Sequence, residues 1–188
     1  MPQTYTNNPG TGPQTGVGRD YPMQMNIGRI GELADIGPSL IVPGNNETAA
    51  RIPFGVPLAR NGSGVLNNSV QVAAAAGAIL GLSVLTDVHE VSHRQAATPY
   101  QEGIEPNDAV NILKQGAIYL DVFQAVAVGQ PLRYYRTGVN AGRWGTAAAA
   151  GVSLALAAGN WEIERGAAAN GLLILRVNAP GALTFTAD

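Results

Sequence analysis

The chain has 188 residues, enough for one domain of about 100–150 residues plus an appendage. Apolar residues make up 46%, which permits a real core, while charged residues make up only 13%, about half the usual share of roughly a quarter. A net charge of −2 argues against a nucleic-acid grip, which needs a basic face, and the absence of cysteine excludes disulfides and thiolate metal sites.

Met1 to Pro43 cannot build a core. It is Thr, Asn, Gln, Gly and Pro, with Arg19, Asp20, Arg29, Glu32 and Asp35 as its only charges. No basic start is followed by an apolar segment, so no signal peptide is expected. Pro2 to Gly18 carries no charge and is expected to be disordered alone in water. Tyr21 to Ile41 differs. Tyr21, Met23, Met25, Ile27, Ile30 and Leu33 begin a spaced apolar series, while Gly28, Gly31, Gly37 and Pro38 oppose a helix. Such a segment should lie along another surface, its own body or a neighbouring subunit. The expected division is an extended arm over 1–45 and a β-rich body over 46–188.

The body reads as all-β. Ile52 to Arg60 is expected to be an edge strand, because Pro53 and Pro57 each remove a ladder donor. Asn61-Gly62-Ser63-Gly64 is a turn. Val70 to Thr86 is expected to be two strands broken at Gly77 or one bulged strand, although its alanine run would also tolerate a helix. Val110 to Lys114 and Ala117 to Val128 are expected to form a hairpin about Gln115-Gly116. Pro131 to Arg136, Trp161 to Arg165, Leu172 to Val177 and Leu183 to Phe185 complete the predicted strands. Ala73 to Gly77 and Ala147 to Gly151 share the sequence Ala-Ala-Ala-Ala-Gly and are expected to be crowded core strands. Many short strands separated by turns predict a sandwich or barrel-like body. The apolar windows Val70–Leu85 and Ala147–Gly159 fall below the roughly 20 residues a bilayer span needs, so no membrane partner is expected.

One motif invites a catalytic reading. His89-Glu90-Val91-Ser92-His93 matches H-E-x-x-H, which on a helix turns both imidazoles toward one zinc and lets the carboxylate polarise its water. A third ligand is required. The chain continues Arg94-Gln95-Ala96-Ala97-Thr98-Pro99, and Glu102, Glu105 and Asp108 lie in a Pro- and Gly-containing loop. A solvated loop is therefore preferred over a zinc-dependent hydrolase, and no cofactor, metal or catalytic residue is expected. Arg133, Tyr134, Tyr135, Arg136, Arg143 and Trp144 interleave cations with aromatics, as single-strand nucleic-acid binders do. With an acidic balance they fit a self-association contact instead, where Tyr, Trp and Arg are enriched. Glu162 and Glu164 share one strand face, and flanking Trp161 and Arg165 make that face an exposed one. No phosphate loop follows Gly16-Val17-Gly18, and no nucleophile elbow occurs. A glycan-binding adhesion module using exposed Tyr and Trp is the remaining alternative.

Gly28-Arg29-Ile30-Gly31-Glu32-Leu33-Ala34-Asp35, followed by Ile52-Pro53-Phe54-Gly55, resembles the structural cement proteins of tailed-bacteriophage capsids. Leu80 to Val84, Tyr100, Asp108 to Val122 and Gly129-Gln130-Pro131-Leu132 extend the likeness. The segment 89–93 falls where that family carries a variable loop, and the Gly/Pro/Gln extension before Tyr21 departs from its pattern. The resemblance implies a non-enzymatic decoration protein on the outer capsid surface of a virion, seated between major capsid protein subunits. The expected state is a homo-dimer or homo-trimer. The arm would order on contact with the shell. Ordering costs about 1–2 kcal/mol per residue, against about 1.5–3 kcal/mol returned by each well-buried apolar anchor.

Overall fold

The computed structural model describes residues 28–35, 37–85, 103–179 and 183–188. Among the described residues there are fourteen strands and no helix. The spine is β8 (Ala109–Val122), a strand of 14 residues. Its first half pairs antiparallel with β1 (Leu40–Asn45) and with β6 (Gly81–Val84). Its second half pairs antiparallel with β13 (Gly171–Val177), which in turn carries β12 (Trp161–Arg165). Val110, Ile112, Ile118, Leu120 and Val122 are all buried, the period-2 pattern of a strand with one face in a core.

The expected hairpin about Gln115-Gly116 does not form. Gln115 and Gly116 have turn composition, but a hairpin requires its two arms to pair with each other. Here each arm finds a different partner: Gln115 faces Leu40 of β1 and Gly116 faces Val177 of β13. Gly116 has φ +126°, so the strand changes partner at a residue whose backbone is costly for an L side chain.

Around the spine the sheet curls. β3 (Pro57–Arg60) lies between β6 and β4 (Val70–Val72), while β10 (Trp144–Gly145), β9 (Arg133–Tyr135), β11 (Ser153–Leu156), β14 (Leu183–Ala187) and β5 (Gly77–Ile79) follow β8 on its other side. Two contacts bring the path round on itself. Leu80, just after β5, donates to Leu58 O of β3 at 2.7 Å. Asn45, at the end of β1, donates to Asn68 O at 3.1 Å and forms a parallel bridge with Ser69, just before β4. The chain is thus an all-β, barrel-like body built on a mixed sheet. A separate pair joins β2 (Ile52–Pro53) to β7 (Gly103–Ile104).

Three further expectations need correction. Ile52 to Arg60 is two strands, and β3 is flanked on both sides instead of standing at an edge. Pro57 is tolerated because it opens the strand, where its carbonyl still accepts Ala73 N at 2.8 Å. Val70 to Leu85 forms three short strands. The alanines of both runs lie in loops, the first run's Gly77 opening β5; Ala73 is buried, but Ala74, Ala75, Ala76, Ala147 and Ala148 are exposed. Four small side chains in a row bury too little surface to hold a strand in the core. Arg136 nevertheless joins the runs, donating to Ala74 O and, at 2.9 Å, to Gly151 O.

Candidate interaction surface

The segment 28–35 is attached to the body by backbone hydrogen bonds. Arg29 to Glu32 forms a β-turn closed by Glu32 N to Arg29 O at 3.0 Å, with Gly31 third in the turn at φ +77°. A positive φ at that position is the signature of a type II turn. A Cβ on Gly31 would also stand 2.5 Å from Phe54 Cβ. Beyond the turn the chain runs along β8. Gly31 N donates to Tyr119 O at 2.8 Å, Tyr119 N to Glu32 O at 3.0 Å and Ala34 N to Ala117 O at 2.8 Å. Leu33 bridges Ile118 and packs against the core, while Ile30, at the turn corner, stays exposed. Leu85 N donates to Gly31 O at 2.8 Å, so the same turn also receives the end of β6.

Side chains complete this attachment. Asp35 accepts Gly37 N at 3.1 Å and pairs with Arg176 of β13. Arg176 also pairs with Glu164 at 3.0 Å, and the hydrogen bonds to Glu164 and Asp35 hold its guanidinium above the usual arginine range. Two sequence motifs, Gly28 to Asp35 and Ile52-Pro53-Phe54-Gly55, therefore meet in space. Trp144 fixes the second, donating its indole N–H to Gly55 O at 2.9 Å. Ser83 is fully buried there: its hydroxyl donates to Pro53 O at 2.8 Å and accepts from Val56 N at 3.0 Å. Tyr21, Met23, Met25 and Ile27, the remaining expected anchors, lie outside the described residues.

The cation–aromatic group expected at a self-association contact is turned largely inward. Tyr134 and Trp144 are 2% and 1% exposed. Their rings pack at 5.4 Å and both approach Phe185, at 6.5 and 6.0 Å. Burial pushes the Tyr134 phenol far above its ordinary value of 10.0, and it raises Tyr135 as well. Tyr135 stacks edge-on against Phe123 at 4.6 Å and donates to Ala147 O at 2.6 Å. The arginines are used within the chain too. Arg143 forms a two-point pair with Asp121 through Nε and Nη2 at 2.6 and 3.0 Å, and Arg133 shares its single Nε–H between the two Asp188 carboxylate oxygens at 3.0 and 3.1 Å. Residues that look like surface adhesives in sequence order are the core's aromatic layer and its polar margin.

Asn46 gave no signal in the sequence and is completely buried. Its amide donates to Ala50 O, Ile104 O and Glu105 O at 3.0–3.1 Å, tying segment 46–51 to 103–108. Its value depends on carbonyls about 58 residues away, which no local pattern encodes. His89, Glu90 and His93 lie outside the described residues. Among the described residues no group of three His, Asp or Glu side chains could hold a metal ion.

The model of the structural cement protein family (E217 gp24/Pam3 gp6) matches residues 17–178, most of the chain. No curated protein matches it.

Proposed function

The chain belongs to the structural cement protein family, whose members are parts of the phage capsid and so of the virion, and on that premise we propose that it seats on the outside of the head between major capsid protein subunits and stabilises the shell. In this reading it performs no catalysis. The observation that carries it is the attachment at residues 28–35. A segment with Tyr21, Met23, Met25 and Ile27 spaced along it leads directly into a turn that is hydrogen-bonded to both Tyr119 and Leu85. Force applied to the segment by a neighbouring subunit would pass into β8 and β6, the centre of the body.

The proposed arm of residues 1–45 therefore has two roles. Residues 40–45 are a sheet strand and residues 28–35 an anchor, while the anchors before residue 28 are proposed to grip the shell. Self-association as a homo-dimer or homo-trimer is proposed to use surface other than Tyr134 and Trp144, whose rings are already covered.

Deleting residues 1–27 tests the mechanism. The truncated protein is expected to keep the thermal unfolding of the full chain but to lose co-sedimentation with phage heads assembled without it. Undiminished binding by the truncated protein would refute the arm's role.

A further inference from the structure

A pocket beside β1 is lined by none of residues 28–35. Where β1, β8, β6, β3 and β4 curl into a ring, this pocket is lined by apolar Val42, Leu80 and Ile112 together with Arg60, Lys114 and Ser69. Lys114 is the sole lysine of the chain. Neither cation has an ion pair among the described residues, and no acidic side chain lines the pocket. In a chain of net charge −2, two cations lining one pocket with no ion pair among the described residues are a local exception. Ser69 is 1% exposed; its hydroxyl lies against Gly64, beside the Glu47 carboxylate, and has no hydrogen-bond partner among the described residues. Such groups are normally satisfied.

Beside the pocket the loop before Ser69 presents Val65, 91% exposed, and Leu66, 49% exposed. These side chains are held out by fixed backbone. Leu66 N donates to Glu47 Oε2 at 3.0 Å, and Ser69 N donates to Leu66 O at 3.0 Å. The nearby carboxylate of Glu47 is thereby engaged with the loop itself.

We propose that this pocket receives an acidic side chain carried on an apolar segment of the shell protein. The carboxylate would sit between Arg60 and Lys114, its stem would lie on Val42, Leu80 and Ile112, and its apolar neighbours would cover Val65 and Leu66. An apolar floor with a few convergent polar groups suits one side chain of that kind, and the unpaired cations supply the charge complementarity that sets register and encounter rate. This inference rests on the cement reading and adds a contact that does not involve the arm.

The test uses the full-length chain and phage heads assembled without it. Binding is measured by co-sedimentation at low and high salt for the wild type, R60E/K114E, R60Q/K114Q and V65S/L66S, with thermal unfolding and oligomeric state recorded for each. Wild-type binding should weaken as salt rises. The charge reversal should weaken it by about tenfold or more and the neutral pair by less, with unfolding unchanged. V65S/L66S should weaken it without altering the salt response. If R60Q/K114Q and R60E/K114E bind as the wild type does, the inference is overturned while the cement reading stands. If the charge reversal alters self-association and leaves head binding intact, the pocket faces a second copy and the inference is again overturned. If the wild type fails to bind heads at all, both readings fall.

Discussion

Gly31 is the residue on which the arm's attachment turns. Its φ of +77° suits glycine, and an added Cβ would press on Phe54. Gly31→Ala is expected to cost about 1–3 kcal/mol, a fall in Tm of several degrees by calorimetry. Trp144 makes the neighbouring link. Trp144→Phe keeps most of the apolar area but leaves Gly55 O without its indole donor, a loss of about 1–3 kcal/mol measurable by denaturant unfolding. Tyr134 is expected to contribute to the alkaline response. Its folded pKa is raised by burial, so its contribution is fully present below the unfolded value of 10.0 and is lost as pH rises from there toward the folded value. Stability should therefore be insensitive to Tyr134 up to about pH 9 and fall above about pH 10, by up to about 1.4 kcal/mol per unit. In Tyr134→Phe that slope should be shallower, which unfolding curves at pH 9, 10 and 11 would show.

Among the elements, β1 and β8 decide what can be removed. β1 pairs with β8 along its whole length, from Leu40–Gln115 to Asn45–Ala109. Removing residues 1–27 should leave Tm within about a degree or two, since no described strand is touched. Removing residues 1–45 would take away β1 and uncover a row of backbone groups on β8. That product is expected to aggregate, because an uncovered strand edge templates association; light scattering of the two truncations would separate them. β8 also shows why local pattern fails. Its Gln115-Gly116 pair has turn composition, yet two separate partners keep it extended. The predicted strands Trp161–Arg165 and Leu183–Phe185 lie where expected, because alternation within one segment is enough to identify a half-buried strand.

For the whole molecule, the proposed arm and the proposed pocket contact would together give two contacts with the shell. Linking them through one rigid body would make the second contact intramolecular once the first has formed, so affinity would rise without either contact being strong. Heads carrying the full chain should withstand a higher disruption temperature than heads carrying the 28–188 form, with bare heads lowest. Calorimetry of the three particles would show that order, and equal values for the first two would remove the arm from the account.

The sequence by itself determined the all-β class, the scarcity of charge and the family. These follow from composition, from period-2 patterns and from short motifs, all of which are local. Only the tertiary structure decided that Tyr134 and Trp144 are interior, that the alanine runs are loops joined by Arg136, that Asn46 is fully buried, and that Arg60 and Lys114 line one pocket with no ion pair among the described residues. Each of these depends on which distant segments become neighbours. Burial and unpaired charge are properties of that proximity and of no stretch of residues read in order.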